Sequence, residues 1–493
     1  PMSAIFAQDI TDALRYSTEN IQGSARFSSM GGAFGALGGD MSAVSLNPAG
    51  SAIFTRSNVS LSFSALGTDN KVGFLNRSLS SDESDFDMHQ FGGAFVFANR
   101  NIESPWKKFV LSIAYDRVGN YDDNWFASGT NTSSVDNYFL QNAQGKRLDE
   151  ISAFEGETLN EAYADIGSAF GYPHQQAFLG YESFIIDPVI NSDGNTNYIS
   201  NIGSGTFEQD YAYISTGFNG KISFNAAAQY GDRLYMGLNL NAHYFEYERS
   251  TLLFESNANP DSFVSEIDFR NTLLASGDGF SFQLGAIYKF TEEFRGGIVY
   301  KSPTWLSIFE ETTQYISTDV DDGESQFIQT INPRTVNIFP EYRLKTPGSI
   351  TGGLAYVFDD KGLLSFDYSR KDYGNIEFRP TSDPVFVAQN NNISNELKAA
   401  STYRFGGEYR YLAWSFRGGY HFEESPYEDE NFYGDLSGYS LGLGYSFGNL
   451  KLDLSYLHSA RDYNQRLYQS GLTNAANIQS DTDIVSLTLG FSI

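Results

Sequence analysis

The chain has no cysteine and only five histidines among 493 residues. The first absence excludes a disulfide scaffold, thiol catalysis and a cysteine-based zinc site. No His-x-x-x-His pair occurs either, so neither a metal centre nor a cofactor is expected. Basic residues are scarce: 32 Lys and Arg stand against 60 Asp and Glu, for a net charge of −28. A nucleic-acid partner held through phosphates needs a basic face, so that class is excluded. No stretch approaches the ~20 continuous apolar residues of a membrane-spanning helix. What the chain does have is 32 Tyr, 41 Phe and 47 Gly, at a mean hydropathy of −0.33. Acidic, disordered chains carry few aromatics. A polar, glycine-rich, aromatic-rich chain without helical spans points to a transmembrane β-barrel.

Barrel strands alternate lipid-facing and lumen-facing residues with period two. Tyr439, Leu441, Leu443, Tyr445 and Phe447 alternate with small residues, and so do Val485, Leu487, Leu489, Phe491 and Ile493. Between such runs, Gly231-Asp232 and Gly448-Asn449 have the form of two-residue hairpin turns, while 67–88, 127–218, 317–334, 379–397, 424–436 and 462–481 read as long polar connections. Tight and long connections alternate, as when one rim faces the periplasm and the other the medium. A soluble sandwich would have short turns at both ends. The pattern predicts an all-β, fourteen-stranded antiparallel barrel over residues 57–493, with a long extracellular loop at 127–218.

The first residues read differently. Met2 to Ala7, before Gln8-Asp9, has the form of a signal-peptide tail, so residues 1–7 are expected as its remnant. Residues 8–56 hold no alternating strand and are rich in Ala, Gly and Ser. Met30-Gly31-Gly32-Ala33-Phe34-Gly35-Ala36-Leu37-Gly38-Gly39 is too small-residued to build its own core. Such a segment suits close packing on other backbone, as a plug inside a barrel requires.

Ala33-Phe34-Gly35-Ala36 through Asp40, followed by Ser42-Ala43-Val44-Ser45-Leu46-Asn47-Pro48-Ala49-Gly50, resembles the N-terminal hatch of the FadL/TodX outer-membrane transporter family. The Leu344-Lys345-Thr346-Pro347 element in the eighth strand is similar to that family as well. The resemblance runs from about residue 8 to 493. It implies a cell-outer-membrane channel, not an enzyme, that passively takes up hydrophobic compounds such as long-chain fatty acids. It further implies a hatch around Asn47, Pro48, Ala49 and Gly50 that gates the lumen, and a strand kink that opens a side exit. Its partners would be outer-membrane lipid and lipopolysaccharide, a hydrophobic small molecule and other outer-membrane proteins. The alternative is a FadL-like subunit of a larger secretion or barrel-assembly complex that does not itself transport. A general porin conflicts with the plug-like first fifty residues.

Two groups of residues are candidates for ligand contact. Loop 127–218 carries Phe154, Phe170, Phe178, Phe184 and Ile185, which would either receive an apolar ligand or fold the loop onto itself. Leu148, Ile151 and Phe154 recur every third residue, predicting a short amphipathic helix. If Phe405, Tyr409 and Tyr411 face lipid, then Arg404, Glu408 and Arg410 point inward, with Arg417 and His421 beside them. These arginines would hold a carboxylate headgroup or else form an internal network with Glu408, Asp367 or Asp453. Two Gly-x-Ser-x-Gly matches, at Ser440 and Ser446, lie inside a continuous alternating run. The motif works only at a sharp strand-to-helix turn, so no catalytic residue is assigned. The acidic runs around Asp82, Asp319 and Glu428 lack the spacing of a calcium loop and read as solvated faces.

Overall fold

Successive side chains of a strand point to opposite faces, and this sequence repeats that sorting around a closed wall. A computed structural model describes residues 9–493 except Ile102 and Asp322, so the expected signal-peptide remnant at 1–7 lies outside the described residues. Fourteen antiparallel strands form the wall. The first six are β1 (Asn58–Phe74), β2 (Arg77–Ala98), β3 (Trp106–Asn120, continuing as Asp123–Asn131), β4 (Phe207–Tyr230), β5 (Leu234–Ser256) and β6 (Val264–Lys289). Then come β7 (Phe294–Lys301 and Trp305–Asp321), β8 (four pieces from Gln326–Ile331 to Ser349–Phe358) and β9 (Gly362–Asp372 and Glu377–Arg379). Finally β10 (Ala399–Tyr411), β11 (Trp414–Glu423), β12 (Leu436–Ser446), β13 (Leu450–Arg466) and β14 (Ala475–Ser492) complete the circuit. β14 pairs with β1 from Asn58↔Ser492 to Gly73↔Asn477, which removes both sheet edges.

The two faces differ as a bilayer-spanning wall requires. Phe95, Leu111, Phe224, Leu284, Ile298, Leu364, Phe405 and Leu441 lie exposed on the outside. At the tight-turn rim the outer band ends in aromatics, including Trp106 against Tyr230 and Trp414 against Tyr445. Amphipathic rings of this kind settle at the level of lipid headgroups. The lumen face is polar and hydrogen-bonded: Ser62 Oγ meets Thr488 Oγ1 at 2.8 Å, and Asn225 Nδ2 donates to Asn239 Oδ1 at 2.7 Å.

Several connections expected as loops are strand. Residues 67–88 continue the β1–β2 ladder up to Phe74↔Arg77, across a two-residue turn. Parts of 317–334 and 462–481 pair likewise, as Ile316↔Ile331 and Arg466↔Ala475. These strands rise past the apolar band, where the outward face no longer needs to be greasy, so a polar run there is compatible with a ladder. Asp82 and Ser84 are exposed on that stretch, whereas Val72 and Phe74 are buried on its inner side.

Above the wall, residues 132–206 fold into a subdomain with helices α4 (Asp136–Ala143), α5 (Leu159–Phe170) and α6 (Tyr172–Glu182) and a two-stranded ribbon, Ile186–Pro188 with Tyr198–Ser200. Its core includes Phe139, Phe178, Leu179 and Ile185 and is continuous with Trp125, Phe269 and Ile478 of the barrel mouth. The helix expected over 148–154 is only a 3₁₀ turn at Leu148–Glu150. The apolar run there is too short to bury a helical stripe, and Ile151 anchors the turn in the core while Phe154 is left 67% exposed. The real helix α5 begins at a capping box, Thr158 with Glu161, a sequence signal of helix start.

Candidate functional site in the barrel lumen

The N-terminal segment lies inside the wall, as its bonds to widely separated strands require. It holds three short helices: α1 (Ile10–Arg15), α2 (Ala25–Ser28) and α3 (Met41–Leu46). The Ala25 amide donates to Thr488 Oγ1 on β14 at 2.7 Å, the Gly31 amide to Ser440 Oγ on β12 at 3.1 Å, and the Gly35 amide to Asp367 Oδ2 on β9 at 2.7 Å. From β5 and β6, Asn239 Nδ2 and Gln283 Nε2 donate to the carbonyls of Val44 and Ser45. Ser440, within one Gly-x-Ser-x-Gly match, is thus a strand residue that receives the plug.

Asn47-Pro48-Ala49-Gly50 is fully buried against the wall. Asn47 Nδ2 donates to the Gly35 carbonyl at 2.6 Å, its Oδ1 accepts from the Ala49 amide at 3.0 Å, and Asn225 Nδ2 donates to the Pro48 carbonyl at 2.9 Å. Gly237 and Gly285 face each other across β5 and β6 beneath this turn. A Cβ at Gly237 would stand 2.6 Å from the Ala49 nitrogen, and one at Gly285 would stand 2.8 Å from Pro48 Cδ and overlap Asn47 Oδ1. The wall therefore has a glycine seat for the Asn-Pro-Ala turn.

The inward arginines divide. Glu408, with 1% of its side chain exposed, accepts from Arg26 Nε of the plug at 3.0 Å, from Arg410 Nε at 2.7 Å and from Arg417 Nε at 2.6 Å. Arg417 also donates to Asp453 at 2.6 Å. Arg410 and Arg417 thus brace the wall, and Arg26 ties the plug to the same carboxylate. Asp367 is taken by Gly35, and Arg404 makes no ion pair among the described residues. The loop aromatics divide as well: Phe178 and Ile185 are core, Phe184 packs against that core, and Phe154 and Phe170 are exposed. In the same subdomain, burial pushes the Asp136 carboxyl at the start of α4 above its ordinary value.

A third assembly, a bend in one strand, is one whose residues sequence reasoning did not locate. β2 and β3 pair only from Gln90↔Asp116 to Ala98↔Lys108. Above Asp116, β3 turns inward behind the β1–β2 hairpin: Asn70 Nδ2 on β1 donates to Asp123 Oδ1 at 2.6 Å, and Ser81 Oγ on β2 donates to the Asn124 carbonyl at 2.8 Å. Arg117 fastens the bend through Asp85 at 2.8 Å, Asp87 at 2.6 Å and Asp122 at 3.4 Å. The plug reaches the same place, where Ser45 Oγ donates to Asp116 and the Asn20 amide donates to the Val118 carbonyl.

On the lumen side of the bend lies a cavity of about 300 Å³. Gly119 to Asp123 form one side and α1 another, and Tyr213, Tyr247, Tyr427, Phe432, Tyr433 and Tyr463 line the rest. Arg15 of α1 is ion-paired with Asp12 and stands 4.1 Å from the centre of the Tyr247 ring. Ala13, Leu14 and Tyr16 continue into a large apolar cluster with Phe245, Tyr342 and Phe378. The signal available in the sequence was the density of Tyr, but these tyrosines come from segments hundreds of residues apart.

Solved structures share this architecture along nearly the whole chain. The P. putida toluene transporter TodX is 12% identical, with 96% of this chain and 99% of that one covered at a TM-score of 0.54. A Pseudomonas aeruginosa FadL homologue is 13% identical over 97% and 99%, at 0.53. The CymD monoaromatic hydrocarbon channel is 14% identical over 97% and 99%, at 0.50. At such identities the likeness shows the fold. No curated protein matches the sequence. Residues 189–492, however, match the sequence model of the family described as outer membrane protein transport protein (OMPP1/FadL/TodX), more than half of the chain. With the fourteen-stranded wall and its matching fold, this chain belongs to the FadL/TodX family of outer-membrane transport proteins.

Proposed function

We propose that the protein passively imports hydrophobic compounds across the outer membrane, with residues 9–56 as the hatch and the bend of β3 as the side exit into the bilayer. The observation that carries this reading is the aromatic cavity, which is bounded by the plug on one side and by the break in the β2–β3 ladder on the other. An apolar solute gains about 0.8 kcal/mol per CH₂ on leaving water, so an aromatic chamber beside the wall gives it a downhill step. A water-filled pore would not. The tight-turn rim then faces the periplasm, and the 132–206 subdomain faces the medium.

The plug has a fixed part and a movable part in this reading. Asn47, Pro48, Ala49 and Gly50 are the anchor in the glycine seat, and α1 with the following residues up to Asn20 is the portion that moves. Substrates of the class named for the solved relatives, toluene and other monoaromatic hydrocarbons, are proposed for this chain too. Long-chain fatty acids are the second class to try.

The absence of native cysteine makes a clean test available. Asn20→Cys with Val118→Cys places a reducible tether where the movable part of the plug already touches the bend. Uptake of radiolabelled toluene and palmitate is then followed in a bacterial host lacking other channels of this type. Uptake above the empty host that stops on oxidation and returns on reduction is expected. Uptake equal to the empty host refutes import, and uptake indifferent to the tether refutes hatch gating. An unloaded barrel that purifies with a fixed stoichiometric protein would instead favour the role of a non-transporting subunit.

A further inference from the structure

We propose that the cavity beside the bend of β3 is a binding site for a single-ring compound carrying an oxygen acceptor, a phenol or an arenecarboxylic acid, with Arg15 of the plug as its polar contact. The inference rests on the import reading above and narrows its substrate. Size sets the first limit. A cavity of about 300 Å³ has room for one ring and a short substituent. α1 fills the apolar space into which a long acyl chain would extend.

Lining chemistry sets the second limit. Rings prefer offset or edge-on contact with other rings, and the cavity offers several, with Tyr121 edge-on to Tyr247 at 5.5 Å between centres. Some polar groups at the cavity are already engaged. Tyr213 and Tyr247 hydroxyls bond each other at 2.9 Å, Tyr433 accepts from Arg461 at 2.6 Å, and Asp122 is held by Arg117 and the Gly217 amide. Asp123 accepts from Asn70. Arg15 differs: among the described residues only its Nη1 has a protein acceptor, Asp12, which leaves its other N–H groups for a ligand. No hydrogen bond engages the hydroxyls of Tyr427 and Tyr463 among the described residues, and neither belongs to the buried, partnerless polar atoms. A ligand oxygen therefore meets the remaining N–H groups of a charged donor and two hydroxyls, whereas a bare hydrocarbon offers them no acceptor. Because the donor belongs to the plug, an occupied site engages the hatch itself.

Binding of toluene, 4-methylphenol, 4-methylbenzoate and palmitate to the purified full-length barrel, by isothermal titration calorimetry, tests this. The oxygen-bearing rings should bind at least about tenfold more tightly than toluene, the worth of one charge-assisted hydrogen bond. Arg15→Gln should bring the preference to within about twofold while toluene binding stays, and Arg15→Lys should restore part of it. Heat-modifiable migration on gels verifies that each variant is folded, and Ile190→Ala on the exposed rim should change nothing. Equal affinity for toluene, a preference that survives Arg15→Gln, palmitate binding as tightly as the single rings, or no binding by any compound would each overturn the assignment. The uptake assay separates the two levels. Uptake without the preference removes this site and keeps import; no uptake of any compound removes both.

Discussion

If the Asn-Pro-Ala turn is what fastens the plug, a single methyl group on the wall should loosen it. Gly285→Ala places a Cβ 2.8 Å from Pro48 Cδ and in overlap with Asn47 Oδ1, closer than carbon atoms approach, and the opposing backbone of Gly237 prevents retreat along β5. The turn must withdraw, which breaks the bond from Asn225 Nδ2 to the Pro48 carbonyl and the bond from Ser51 Oγ to Asn225 Oδ1. Both are buried. Leaving a buried polar group unpaired costs about 1–3 kcal/mol, so two cost about 2–6 kcal/mol. At 1.4 kcal/mol per decade, the ratio of docked to undocked plug falls by roughly thirtyfold to twenty-thousandfold. Single-channel recording in a planar bilayer should show openings that the native protein lacks, and hydrogen exchange should accelerate over residues 40–56. Gly352→Ala is the matched control, since a Cβ there meets nothing within 4 Å. If Gly285→Ala and Gly352→Ala behave alike, the seat does not hold the plug and the reasoning fails.

Glu408→Gln should be more damaging than Arg26→Gln, because it leaves Arg417, 5% exposed, with Asp453 alone while also freeing the plug. A loss of about 3–5 kcal/mol is expected from breaking such a buried cluster, read as a lower denaturant midpoint, and the double variant should lose less than the sum of the singles. Phe178→Ala should cost about 3–5 kcal/mol of rim-subdomain stability, seen as faster proteolysis between 132 and 206, while Phe154→Ala should stay within about 0.5 kcal/mol. Burial raises the Asp136 carboxyl, so the folded subdomain holds that proton to higher pH than the unfolded chain does. The penalty is then full above the folded value and absent below the ordinary Asp range near about 3.9. Asp136→Asn should accordingly slow proteolysis of the subdomain at pH 8 and make no difference at pH 3.

The wall was legible because lipid and lumen impose opposite demands on alternate residues, and runs such as Tyr439 to Phe447 write that demand out plainly. Where lipid ends, the contrast ends too. The Ser78, Ser80 and Ser81 stretch of β2 reads as loop although it is paired to β1. The packing of the N-terminal segment on other backbone was legible through its small residues, but Gly237 and Gly285 carry no mark in the sequence that distinguishes them from other strand glycines. Inward direction was read correctly for Glu408 and Arg417, which are buried. Which charge pairs with which depends on register across four strands and on a plug residue, Arg26, and alternation does not encode that. The cavity was illegible for the same reason on a larger scale: Arg15, Tyr121, Tyr247, Tyr427 and Tyr463 meet only after the sheet has closed.

Closure also places the plug and the side of the barrel in one network of contacts. Asp116 is the last residue of β3 paired to β2, and it is the residue that receives Ser45 of the plug. Two residues on, the Val118 carbonyl accepts from Asn20, and the next turn of chain forms the wall of the cavity that Arg15 enters. Plug contacts therefore hold the bend at Asp116 and Val118, while Arg117 between them holds it from the β2 side. A change that lifts Arg15 and Asn20 removes a restraint on β3 without touching the rest of the wall, which stays fixed by its ladders and by the Glu408 cluster on the other side. On the proposed import route, a local exit needs a strand that has already left its neighbour, and β3 is held in that state by the plug.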